Sequence, residues 1–148
     1  MNIAFWTPHK DSESRKASAI ALASAVLQSR SVMYASHVRE VLSIAVWKYT
    51  ECDGKYTTRF RSEGAMFAKS NAVHHEHVFT RKSLVDRLLI EPHNVSSIFA
   101  DAIGCVVLRS EHSLLAAVEK TNPGLSGWDR YREAGIVVWD LRDHVRVV

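Results

Sequence analysis

Residues 72–79 read Ala-Val-His-His-Glu-His-Val-Phe, and residues 105–112 read Cys-Val-Val-Leu-Arg-Ser-Glu-His. The first stretch has the length of a strand and holds four side chains able to titrate or bind metal. Successive side chains of a strand point to opposite faces, so His75 and His77 share one face while His74 and Glu76 share the other. A strand alone therefore aims only two of the four at any one point, and a second element has to complete a site. The second stretch supplies a candidate. Cys105–Leu108 is a fully apolar run of strand length, the signature of a buried strand. It leads into a helix expected over Glu111–Lys120, with Ser110 as its cap and Glu111 at its positive end.

Outward from these two stretches the pattern is mixed. Residues 12–30 read as a helix, with Ala19, Ile20, Ala23, Val26 and Leu27 forming one apolar stripe. A second helix is expected from Ser36 to about Thr50 on the stripe Val38, Val41, Leu42, Ala45 and Val46. Asp53-Gly54 is a turn signal, and the alternation that follows predicts a strand over Lys55–Arg61. Tyr56, Thr58 and Phe60 would face inward and Lys55, Thr57, Arg59 and Arg61 outward. After the histidine run, Thr80 or Ser83 starts a helix that Pro92 ends. A short helix follows near Val95–Ala102, with Gly104 as its breaker. Ser126 and Asp129 form a capping-box pair for a helix over Trp128–Ala134, and Gly135 sits where a helix stop belongs. Ile136–Trp139 reads as a last buried strand, and Asp140, Arg142, Asp143 and Arg146 as a solvated tail. The expected fold is α+β: two N-terminal helices, a small mostly antiparallel sheet carrying the histidine run, and further helices packed on it. Residues 1–148 are read as a single domain, with a helical part over 1–50 and an α+β part over 55–140.

Composition limits the function classes. With 148 residues, 47% apolar and 24% charged, the chain has enough apolar content for a core and too much for disorder. Cys52 and Cys105 form no spaced pattern, so neither a disulfide framework nor a paired-cysteine zinc site is available, and both are expected to be reduced and buried. The apolar run Ala17–Leu27 is too short to span a bilayer and lacks the flanks of a signal peptide, which points to a cytoplasmic protein without a membrane anchor. No phosphate-binding glycine loop and no nucleophile elbow is present. The net charge is +3, and it is unevenly placed: residues 55–87 carry seven basic and three acidic groups. Positive charge thus collects around the histidine run, as a phosphate-bearing partner requires. Arg59, Arg61, Arg81 and Lys82 are the candidate nucleic-acid contacts.

Imidazole and carboxylate donors together suit zinc, manganese or nickel, and magnesium uses the carboxylate. A strand bearing Glu-His, an apolar strand and a helix opening with His resemble the HNH, or ββα-metal, nuclease superfamily over residues 72–118. The resemblance implies a divalent ion held by Glu76 and His112. It implies His77 as the general base that activates water against a phosphodiester, with His75 in that role if the His-His register applies. The chain departs from the family pattern in three ways. The two strands are 27 residues apart, no Asn stands at the middle motif position, and Leu115 and Ala116 occupy the place of a final His or Asn. Two functions follow as expectations: a metal-dependent nuclease acting on nucleic acid, or a non-catalytic module that binds nucleic acid or protein on a degenerate nuclease-like fold. A structural zinc or nickel site is a third.

Overall fold

The computed structural model describes residues 2–148. Helix α1 (Ser12–Ser29) and helix α2 (Ala35–Thr50) pack against each other, joined by a single 3-10 turn over Arg30–Val32. They bury the stripes read from the sequence: Ala19, Ala23, Val26 and Leu27 on α1, and Val38, Leu42, Ala45 and Val46 on α2. Helices α3 (Arg81–Ile90) and α4 (Val95–Phe99) add Leu84, Val85, Leu88, Ile98 and Phe99 to the same core. No helix among the described residues is long and apolar enough to cross a membrane.

The sheet holds β1 (Phe60–Ser62), β2 (Val73–His77), β3 (Gly104–Leu108), β4 (Val138–Asp140) and β5 (Val145–Arg146), in the order β2-β3-β1-β4-β5. Only β1 and β3 run parallel, and the other three pairs are antiparallel. Together these make an α+β fold whose histidine strand lies at one edge. Helices α5 (Arg109–Thr121) and α6 (Trp128–Glu133) pack Leu115, Tyr131 and their neighbours against Val78, Cys105, Val107 and Val138. The opposite face of the strand pair carries Val73 and Val106 with Ala65. Both cysteines are buried and free.

Several local expectations need correction. The segment 55–59 is not a strand: pairing begins only at Phe60. Thr57 and Thr58 turn their hydroxyls onto the carbonyls of Asp53 and Phe60, the local alternative to a ladder that short hydroxyl side chains offer. The Thr57 carbonyl accepts instead from the Trp6 indole at 3.0 Å, which ties down the N-terminal arm. Helix α5 starts two residues earlier than read, because Glu111 reaches back to accept from the Leu108 N–H at 2.7 Å. Ser126 and Asp129 make no capping box, and Gly127 precedes α6 with φ +59°. Its missing side chain leaves room for the Phe79 ring, which would lie 2.7 Å from a Cβ. Gly104 belongs to β3 rather than ending a helix. Gly135 does close α6, at φ +67°.

Candidate metal centre

Strand β2 pairs over its whole length with β3, from Val73 opposite Leu108 to His77 opposite Gly104. That register fixes which way each histidine points. His74 and Glu76 face α5, and His75 and His77 face the C-terminal end of α2.

On the α5 side, Glu76 Oε2 lies 2.5 Å from His112 Nδ1. The two residues are 36 apart in sequence, and the β3–α5 junction is what brings them together: α5 begins directly after Leu108, so its first turn lies over the end of β2. The His74 ring stacks on His112 at 3.8 Å between centroids and 24° between planes. One donor atom from each of His74, Glu76 and His112 lies within 4.8 Å of the others. Two imidazoles and one carboxylate, converging in this way, form a donor set for a divalent transition metal with open positions left over. Glu76 is 9% exposed, and buried carboxylates need a countercharge. Arg130 from α6 brings Nη2 to 3.6 Å from Glu76 Oε1. Burial, with His112 beside it, holds the His74 pKa below the ordinary imidazole value, which favours the neutral, ligating form.

On the α2 side, the Thr50 hydroxyl lies 3.0 Å from both His75 Nε2 and His77 Nε2. His75 Nδ1 sits 2.7 Å from the Lys55 carbonyl. Burial pushes the His75 pKa down. Burial, with His75, Arg81 and His74 nearby, pushes His77 down to about 3. Both rings are therefore neutral near pH 7. Gly104 makes their placement possible: a Cβ there would lie 2.7 Å from His75 Cε1 and 3.2 Å from the Thr50 carbonyl.

The two sides meet in a cleft of about 230 Å³ around the edge of β2, lined by Trp47, His74, Glu76, His77, Arg81 and His112 among others. Of the expected site residues, Glu76 and His112 are in direct contact. His77 and His75 project from the other face of the strand and reach the cleft from that side. Of the four basic candidates, only Arg81 lines the cleft, with its guanidinium 4.3 Å from the Trp47 ring centroid. Lys82 is exposed next to it and pairs with Asp86 at 3.3 Å. Arg61 donates to the Tyr56 carbonyl at 2.9 Å, half-buried. Arg59 is held by Asp140 and Asp143, so Asp140 is a buried ion-pair partner and not part of a solvated tail.

The Asp140 carboxyl has an opposing pair of influences. Burial would raise its pKa, but the hydrogen bond and charge of Arg59 override this and hold it below the ordinary value of 3.8. A carboxylate with a depressed folded pKa contributes stability that is present above 3.8 and is lost as the pH falls through its folded value. Asp140→Asn is therefore expected to be less stable than the native chain at pH 6, with the gap closing below about pH 3.8. Urea midpoints at the two pH values measure it, and a gap that does not narrow would remove the ion pair from the acid response.

Two contributors to the centre had different visibility in the sequence. His74 is given no role in the sequence reading, although strand alternation on the Glu76 face is the signal that could have found it. Arg130 carried no local signal, since its contact with Glu76 spans 54 residues of chain. No family model matches the sequence, and no curated protein or solved structure matches it.

Proposed function

We propose that the protein is a metal-dependent nuclease-like hydrolase whose divalent ion is held by Glu76, His112 and His74 and whose substrate is a phosphodiester of nucleic acid. The observation that carries this reading is the convergence of those three side chains in a cleft that Trp47 and Arg81 also line. Held there by Glu76, His112 and His74, a divalent ion would supply positive charge against a scissile phosphate and make water more acidic. The protein's own groups do the rest. His77 lines the cleft in its neutral form, although burial, by holding its pKa to about 3, makes it a weak acceptor of a proton near pH 7. Arg81 and the N-terminus of α3, which Thr80 caps through the Ser83 N–H at 3.2 Å, present positive charge to a flanking phosphate. His75 acts through its hydrogen-bond chain to His77 rather than on substrate.

A non-catalytic binding module is the second reading, and the burial of His77, 7% exposed, is the observation in its favour. One titration separates the two. Purified protein is incubated with supercoiled plasmid and single-stranded RNA in magnesium, manganese, nickel or zinc. The nuclease reading expects cleavage that requires one of these ions and stops on chelation. Folded protein that cleaves in none of them overturns it. Binding that weakens linearly in log affinity against log salt would then identify a nucleic-acid-binding module.

A further inference from the structure

We infer that Arg130 is the positioning residue of the metal centre: it commits one oxygen of Glu76 and leaves the other aimed at the ion. This rests on the reading of His74, Glu76 and His112 as a metal site. Arg130 lies on α6, outside the 72–118 segment that resembles the nucleases, so it extends the working unit into the last third of the chain.

Three observations support it. First, the Arg130 side chain is 4% exposed, and a guanidinium is always charged, so its burial requires dedicated partners. Second, those partners belong to the end of β2. Nη1 donates to the carbonyls of His77 at 3.2 Å and Val78 at 3.0 Å, while Nη2 faces Glu76 Oε1 at 3.6 Å. One guanidinium thus hydrogen-bonds the backbone that presents Glu76 and stands as an ion-pair partner beside one carboxylate oxygen. Third, the remaining oxygen, Oε2, is the one turned to His112. A carboxylate this buried needs a countercharge beside it. Arg130 supplies a charge in the metal-free and metal-bound protein alike. Groups that hold a ligand in place in this way typically change metal affinity by about 10- to 100-fold when removed.

The test is metal affinity in the full chain, read by competition against a chromogenic chelator with manganese and zinc. Arg130→Lys keeps the charge and a donor for the carbonyls but not the guanidinium geometry, so it is the variant expected to stay folded. Arg130→Met removes both. The dissociation constant is expected to rise about 10-fold or more in Arg130→Lys and further in Arg130→Met. In a Glu76→Gln background, Arg130→Lys is expected to change affinity no further, because the arginine acts through that carboxylate. A purely structural role would lower the melting temperature of the metal-free variants and leave the dissociation constant of the folded fraction untouched. Folded Arg130→Lys and Arg130→Met that bind as tightly as the native chain overturn the inference alone. A native chain that binds neither ion overturns it together with the metal site.

Discussion

Replacing His112 by Ala is expected to weaken divalent-metal binding by at least about 100-fold, more than the loss of a group that only supports a ligand, while leaving the fold intact. The fold should survive because the His112 side chain is 43% exposed and helix α5 is anchored by Leu115 and Val118 rather than by the imidazole. The site should not survive. Without His112, the three converging donors become two, both from β2, and the ion loses its only ligand from a second element. Linkage turns this into a thermal readout. An ion at 100 times its dissociation constant stabilises the native chain by about 2.7 kcal/mol, and that increment vanishes when binding does. Melting curves with and without manganese or zinc, native beside His112→Ala, therefore report the effect without any assay of activity. On the proposed nuclease function, metal-dependent cleavage should disappear in the same variant. A metal-induced rise in melting temperature that persists in His112→Ala would move the ion away from this cleft.

The pairing of Glu76 with His112 is read from the resemblance to the ββα-metal nucleases; the residue pattern alone gives only a histidine-bearing strand, an apolar strand and a helix carrying His112 after it. The apolar stripes on α1 and α2 were legible because period 3.6 is recorded residue by residue. What escaped depends on contacts between distant segments. Lys55–Arg59 alternates like a strand, yet its hydroxyls and carbonyls are taken by Asp53, Phe60, Trp6 and His75. Asp140 looked solvated because nothing near it in sequence announces Arg59, 81 residues away. Arg130 sits in a short helix half of whose residues are exposed, and nothing local marks it as the buried partner of a carboxylate on β2. The charge excess of residues 55–87 was real, but charge counts do not say which cations are already engaged. Arg59 and Arg61 are held by protein groups, and Arg81 alone of the four lines the cleft.

Substituting Thr50 by Val is expected to cost about 3 kcal/mol of stability, from two buried groups left unsatisfied at about 1–3 kcal/mol each. The hydrogen-bond partners set the proton positions. The Lys55 carbonyl can only accept, so His75 Nδ1 carries a hydrogen. The neutral His75 ring then offers Nε2 as an acceptor, and the Thr50 hydroxyl must donate to it. Thr50 has one proton to give, although the Trp47 carbonyl at 2.9 Å also competes for it. Its oxygen is left to accept from His77 Nε2–H. The chain of bonds thus runs from His77 through Thr50 and His75 to a backbone carbonyl, and it leaves His77 Nδ1 as the unprotonated atom available to take a proton. Valine keeps the shape and removes the hub, leaving one acceptor and one donor unpaired in a buried setting. Serine keeps the hydroxyl, so Thr50→Ser should lose only about 0.8 kcal/mol, the value of one buried carbon. Urea unfolding of the three proteins tests this ordering, and a valine variant as stable as the native chain would remove Thr50 as the hub. The metal dissociation constant should not move in either variant, since Thr50 lies on the face of β2 opposite Glu76. A valine variant that binds metal normally but cleaves slowly would assign the network to His77 and the chemistry, whereas cleavage at the native rate would take His77 out of the proton transfer.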